Sequence, residues 1–162
     1  MANPAAAVND AERVLTITRV FDAPPDVVFK AWIDPAQMAR WLGPQSVKAD
    51  VTAMDPRPGG AYRVTMYGVS NGAQVVNGRL VGTFREVKPA ERLAFTWAWL
   101  DESGKPKHET VVTVTFRAKG RQTELTLQQA TFESDDARGK HDHGWVGSFD
   151  NLAALLAGRP AR

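Results

Sequence analysis

From residue 46 onward the chain alternates apolar and polar residues in one short run after another, and then changes period once. Val47, Ala49, Val51 and Ala53 share one phase, and Tyr62, Val64 and Met66 share the next. Leu93, Phe95, Trp97 and Trp99 follow, then Val112, Val114 and Phe116, then Thr123, Leu125 and Leu127. A period of two is that of half-buried strands. The last stretch instead spaces His141, Trp145, Phe149, Leu152 and Leu156 mostly by four residues, which is one face of a helix. Successive strands joined by short turns build an antiparallel meander with one apolar face that must be covered. Only the terminal helix is long enough to cover it.

The punctuation agrees with that plan. Asn71-Gly72 is a hairpin signal, because both residues accept the positive φ of a tight primed turn. Residues 74–87 form a long run interrupted by Gly78 and Gly82, which predict bulges or bends in a curved sheet. Ser134-Asp135-Asp136 caps the final helix with acidic groups at its positive end, and Gly158 and Pro160 stop it.

Ahead of the meander, residues 13–21 alternate as a strand with Leu15, Ile17, Arg19 and Phe21 on one side. Asp22-Ala23-Pro24-Pro25 opens a short helix carrying Val28, Phe29, Trp32 and Ile33. Asp34-Pro35 starts a second one with Met38, Trp41 and Leu42, which Gly43-Pro44 ends. The expected fold is α+β: a curved antiparallel sheet of about seven strands gripping a long C-terminal helix, with two short helices after the first strand. Residues 1–12 are expected to be a disordered lead, 13–158 a single domain and 159–162 a tail.

Composition removes several functions. The 162 residues carry a net charge of only +2, with basic and acidic groups interspersed, so there is no nucleic-acid footprint. With no cysteine, disulfides, thiolate metal sites and cysteine nucleophiles are excluded. No apolar run reaches the ~18 residues of a membrane span, and the first residues lack the charged and apolar regions of a secretory signal. A cytoplasmic location is therefore expected. No nucleotide-binding glycine pattern or serine nucleophile elbow is present.

Several short pieces occur in a characteristic order: residues 17–24 (ITRVFDAP), Ala31-Trp32 with Asp34-Pro35, Arg40-Trp41 with Gly43-Pro44, and residues 57–62 (RPGGAY). Glu86-Val87 with Glu91-Arg92-Leu93, Phe95-Thr96-Trp97, and Gly144-Trp145 with Leu152 complete the series. In this order the chain resembles the activator of heat-shock-protein-ninety ATPase homologue family, in its small bacterial single-domain form. That family belongs to the helix-grip superfamily (START-like, SRPBCC). The resemblance spans about residues 13–158 and implies a hydrophobic cavity between sheet and terminal helix. It also implies two alternatives: a stress-response or chaperone-associated interaction protein, and a cyclase- or hydrolase-type enzyme. The co-chaperone the family is named for carries an additional N-terminal domain. Here about a dozen residues precede the fold, so the family name is not read as a function.

The leading expectation is non-covalent binding of a small hydrophobic or aromatic molecule, without a cofactor. Pockets for such ligands are lined by apolar and aromatic groups with few polar ones. The candidate lining residues are Trp32, Trp41, Met66, Trp97, Trp99, Trp145 and Phe149, with Arg19 and His141 as polar members. Arg19 shares the phase of Leu15, Ile17 and Phe21, where a guanidinium needs a carboxylate, a carbonyl or a ligand anion. His141, with His108 at the start of a strand, is a candidate for acid–base work. His141 and His143 lie about 200° apart on a helix, which does not suit one metal ion. The outward Tyr67 and Val69 are the hints of a protein partner. The chain is expected to be a monomer or a homodimer.

Overall fold

In the computed structural model residues 13–159 are described. The expected lead over residues 1–12, like the last three residues of the tail, lies outside them. β1 (Leu15–Phe21) is followed by α1 (Pro25–Ile33) and α2 (Pro35–Trp41). The meander then runs β2 (Lys48–Met54), β3 (Ala61–Ser70), β4 (Ala73–Lys88), β5 (Arg92–Leu100), β6 (Pro106–Lys119) and β7 (Gln122–Ala130). α3 (Asp135–Leu156) closes the chain.

All seven strands form one antiparallel sheet in the order β1-β7-β6-β5-β4-β3-β2. Each meander strand pairs with its chain neighbour, and β1 adds beside β7 with Ile17 opposite Leu127. The β3–β4 turn takes the positive φ that its sequence announces, 52° at Asn71 and 78° at Gly72. The irregularities of β4 also appear. Met66 faces Gly78 but Tyr67 faces Val76, so Asn77 is the extra residue of a bulge. At Gly82 the bare Cα meets its neighbours closely: an added Cβ would lie 2.0 Å from the Thr96 carbonyl oxygen.

The short helices begin as their prolines dictate. Pro25 stands at the start of α1, and Asp34 caps α2 by accepting from the Ala36 N–H at 3.0 Å. The cap of α1 is Pro24, without a side-chain bond. Ser134 caps α3 by accepting from the Ala137 N–H. α1 packs on β6 and β7, and α2 on β2 and α3. The two short helices therefore fill one end of the space between sheet and long helix. No helix among the described residues is long and apolar enough to cross a membrane.

Candidate functional site

The inward phase of β5 carries Trp97 and Trp99 toward the N-terminal half of α3, where His141 faces them one turn before Trp145. The indole N–H of Trp99 donates to His141 Nε2 at 3.0 Å, and that of Trp97 to the same atom at 3.3 Å. Indole nitrogens only donate, so Nε2 must hold its lone pair and the proton sits on Nδ1. Nδ1–H in turn donates to the Ala137 carbonyl at 2.7 Å. Burial holds the His141 pKa below its usual 6.5, against the Ala137 carbonyl and Glu133, which favour the charged form. The imidazole is thus a neutral acceptor with both nitrogens occupied.

Gly78 and Phe132 shape this wall. An added Cβ at Gly78 would lie 2.8 Å from the six-membered ring of Trp99, so β4 makes room for that indole. Phe132, fully buried in the loop before α3, packs its ring 4.9 Å from that of His141.

Trp97, Trp99 and His141 border a cavity of about 560 Å³ that reaches from the first half of α3 to the Gly43–Pro44 loop after α2. Its apolar walls are Trp97, Trp99, Trp145, Met66, Leu42 and Val47. Around its mouth stand Asn77, Glu133, Asp136, Lys140 and His143. The Trp97 and Trp145 rings, 5.1 Å apart, stand between it and the main core, where they border a void of about 10 Å³. The open volume falls within the ~300–1,000 Å³ of small-molecule sites.

Buried polar groups hold the walls in place. Trp145 donates its indole N–H to Gln129 Oε1 at 2.8 Å. Gln129 Nε2 donates to Thr110 Oγ1 at 2.8 Å, and the Thr110 hydroxyl is directed at the Trp97 carbonyl at 3.4 Å. This chain ties α3 to β7, β6 and β5. On the opposite wall Ser148 Oγ accepts from the Gly43 N–H at 2.8 Å and donates to the Gly144 carbonyl at 2.9 Å. Asn151 Nδ2 donates to the Gly43 carbonyl at 2.8 Å. Gly147 allows the approach, since a Cβ there would sit 3.0 Å from Pro44.

Of the residues expected to line a cavity, Met66, Trp97, Trp99, Trp145 and His141 are brought together around it. Trp32, Trp41 and Phe149 are not. They are fully buried in the main core, where Trp32 packs 4.7 Å from Trp41 and 6.1 Å from Phe149. Trp41 donates to the Ala31 carbonyl, while the Trp32 N–H finds no partner among the described residues. Arg19 lies away from the cavity: its guanidinium reaches past the sheet edge to Asp150 on α3, at 2.7 Å, with both side chains partly exposed. His108 is exposed, and its Nε2 meets the Thr131 carbonyl at 2.6 Å, so it does not share a space with His141. His143 stands at the exposed rim.

The residues that sequence reasoning overlooked are mostly polar. Ser148 sits three residues after Trp145 and one before Phe149, so helical periodicity alone places it inward. Gln129 continues the inward phase of Leu125 and Leu127, and Thr110 precedes Val112 on the same phase. Asn77 had no such signal, because its position depends on the bulge.

A model of the family described as "Activator of Hsp90 ATPase homolog 1-like protein" matches residues 22–157. Among solved structures, a protein of Chromobacterium violaceum is 28% identical, with a TM-score of 0.79 over 89% of this chain and 96% of that one. A protein of Arthrobacter aurescens is 25% identical, with a TM-score of 0.82 over 95% and 92%. The AHSA1 protein of Silicibacter pomeroyi is 26% identical, with a TM-score of 0.78 over 89% and 97%. No curated protein matches. The seven-stranded grip around α3 and the match over residues 22–157 agree: the chain belongs to the Activator of Hsp90 ATPase homolog 1-like family.

Proposed function

We propose that this protein binds a small, largely apolar or aromatic molecule in the cavity between β5, the Gly43–Pro44 loop and the first half of α3. One observation carries the reading: the polar groups within the walls are already used. The indole N–H groups of Trp97 and Trp99 are spent on His141, that of Trp145 on Gln129, and the Ser148 hydroxyl on the Gly43 loop. An inner wall whose indole, imidazole and hydroxyl groups are taken, with free polar groups only at the rim, favours a largely apolar guest, and burying its apolar surface is worth roughly 25 cal/mol per Å².

Three tryptophans in the wall make the test direct. Quenching of their fluorescence by a panel of aromatic and alicyclic compounds, with native mass spectrometry of protein taken from cell extract, reads occupancy. Saturable quenching that Trp99→Ala weakens supports the reading. A panel that leaves the emission unchanged, with no co-purifying mass, rejects it.

A further inference from the structure

Beside the cavity lies a second hollow of similar size, about 560 Å³, between residues 45–48 and the β3–β4 hairpin. The two share Val47 and Asn77 as a common wall. Resting on the ligand-binding reading above, we infer that they form one two-part site whose ligand is an aromatic or alicyclic carboxylate: its ring lies among the tryptophans and its anionic end lies beside Lys48.

Three observations lead there. First, the indole, imidazole and hydroxyl groups of the inner wall bond to one another, so the polar end of a ligand finds its partners at a rim. Second, the rims differ in charge. On the α3 side stand Glu133, Asp136, Lys140 and His143, with Lys140 spent on Asp136 at 3.1 Å and Glu133 making no ion pair among the described residues. That rim sets two carboxylates against one lysine, which disfavours an anion there relative to a rim without carboxylates. The hollow on the other side is lined by one charged residue, Lys48, with Gln45, Ser46, Tyr67, Gln74 and Asn77 as neutral donors. Lys48 is exposed and makes no ion pair among the described residues, and no carboxylate lines the hollow with it.

Third, the junction is built by a local irregularity. Asn77 is the extra residue of the β4 bulge, and a bulge is a device that re-aims a side chain out of the regular alternation. Here it places an amide, able to donate and accept, where the two hollows meet.

Lys48 is exposed, so its contribution is modest and falls with salt. The experiment compares pyrenebutyric acid with pyrenebutanol, which share ring and linker and differ in the charged end. Binding is followed at neutral pH by energy transfer from tryptophan to pyrene in the full chain, Lys48→Gln and Lys140→Gln. Both compounds are expected to bind the unaltered chain, the acid about fivefold tighter at low ionic strength. Lys48→Gln brings the acid down to the alcohol and leaves the alcohol unchanged, whereas Lys140→Gln preserves the preference. An acid that binds no tighter than the alcohol, or a preference that survives Lys48→Gln, overturns the two-part site while leaving the cavity intact. Failure of both compounds to bind also overturns the inference, while the wider panel and native mass spectrometry decide the cavity reading separately.

Discussion

His141 Nε2 accepts the indole N–H of Trp99 at 3.0 Å and thereby joins the start of α3 to the end of β5. With Trp97 donating to the same atom, the imidazole keeps its lone pair only while it is neutral. Protonation would set a new N–H against two others.

A pH dependence follows with a definite sign. Folding lowers the His141 pKa, chiefly by burial. Below about pH 6.5 the unfolded chain therefore binds more protons than the folded one, and stability falls as pH drops. Urea midpoints measured between about pH 8 and 5 should decline over the acid half of that range. The same series in His141→Gln should lose this component of the slope. An unchanged slope would contradict the assignment.

Gln129 is the link most costly to remove. Gln129→Leu orphans the Trp145 indole N–H and leaves Thr110 without its donor, all within a fully buried region. A loss of about 2–4 kcal/mol is expected from denaturant unfolding. The near-ultraviolet tryptophan signal should change with it.

Ser148→Ala removes the hydroxyl that accepts from the Gly43 N–H. We expect a loss of about 1–3 kcal/mol, the cost of one buried unsatisfied group. Hydrogen exchange localises the effect, since the Gly43 amide should lose protection before those of the central strands.

Gly82→Ala forces a Cβ toward the Thr96 carbonyl oxygen and the Tyr62 ring. Backbone there cannot yield cheaply, and destabilisation of roughly 3 kcal/mol or more is expected. Thermal unfolding reads it. By contrast Gly120→Ala has open space around it, and its cost comes from the positive φ of 62° alone.

Arg19→Ala should matter little. Its ion pair with Asp150 is partly exposed on both sides, and such pairs are worth about 0–1 kcal/mol. Ligand affinity should not change, because the guanidinium does not border the cavity. A clear loss of binding in Arg19→Ala would revive the expectation that it meets a ligand anion.

The order of strands, the two proline-started helices, the Asn71-Gly72 hairpin and the inward phases of β3, β5 and β6 were all legible in the residues. Local periodicity and turn chemistry depend on neighbours a few positions away, and those are written in order along the chain. The inward side of Arg19 was legible too, but not its partner. Asp150 lies 131 residues further on, and only the docking of α3 against β1 brings it near.

What the sequence determined by itself is which side of each element turns inward. What only the tertiary structure decided is where along the grip an inward residue lies. Trp32, Trp41 and Phe149 are aromatic and inward-phased like Trp97, Trp99 and Trp145, yet the first three are fully buried in the main core and the others border the cavity. Periodicity reports direction about an element's axis, whereas filling depends on which other elements occupy the space opposite. The same holds for chemistry: a histidine on an inward face reads as a base until two indoles, 44 and 42 residues away in the chain, take its lone pair.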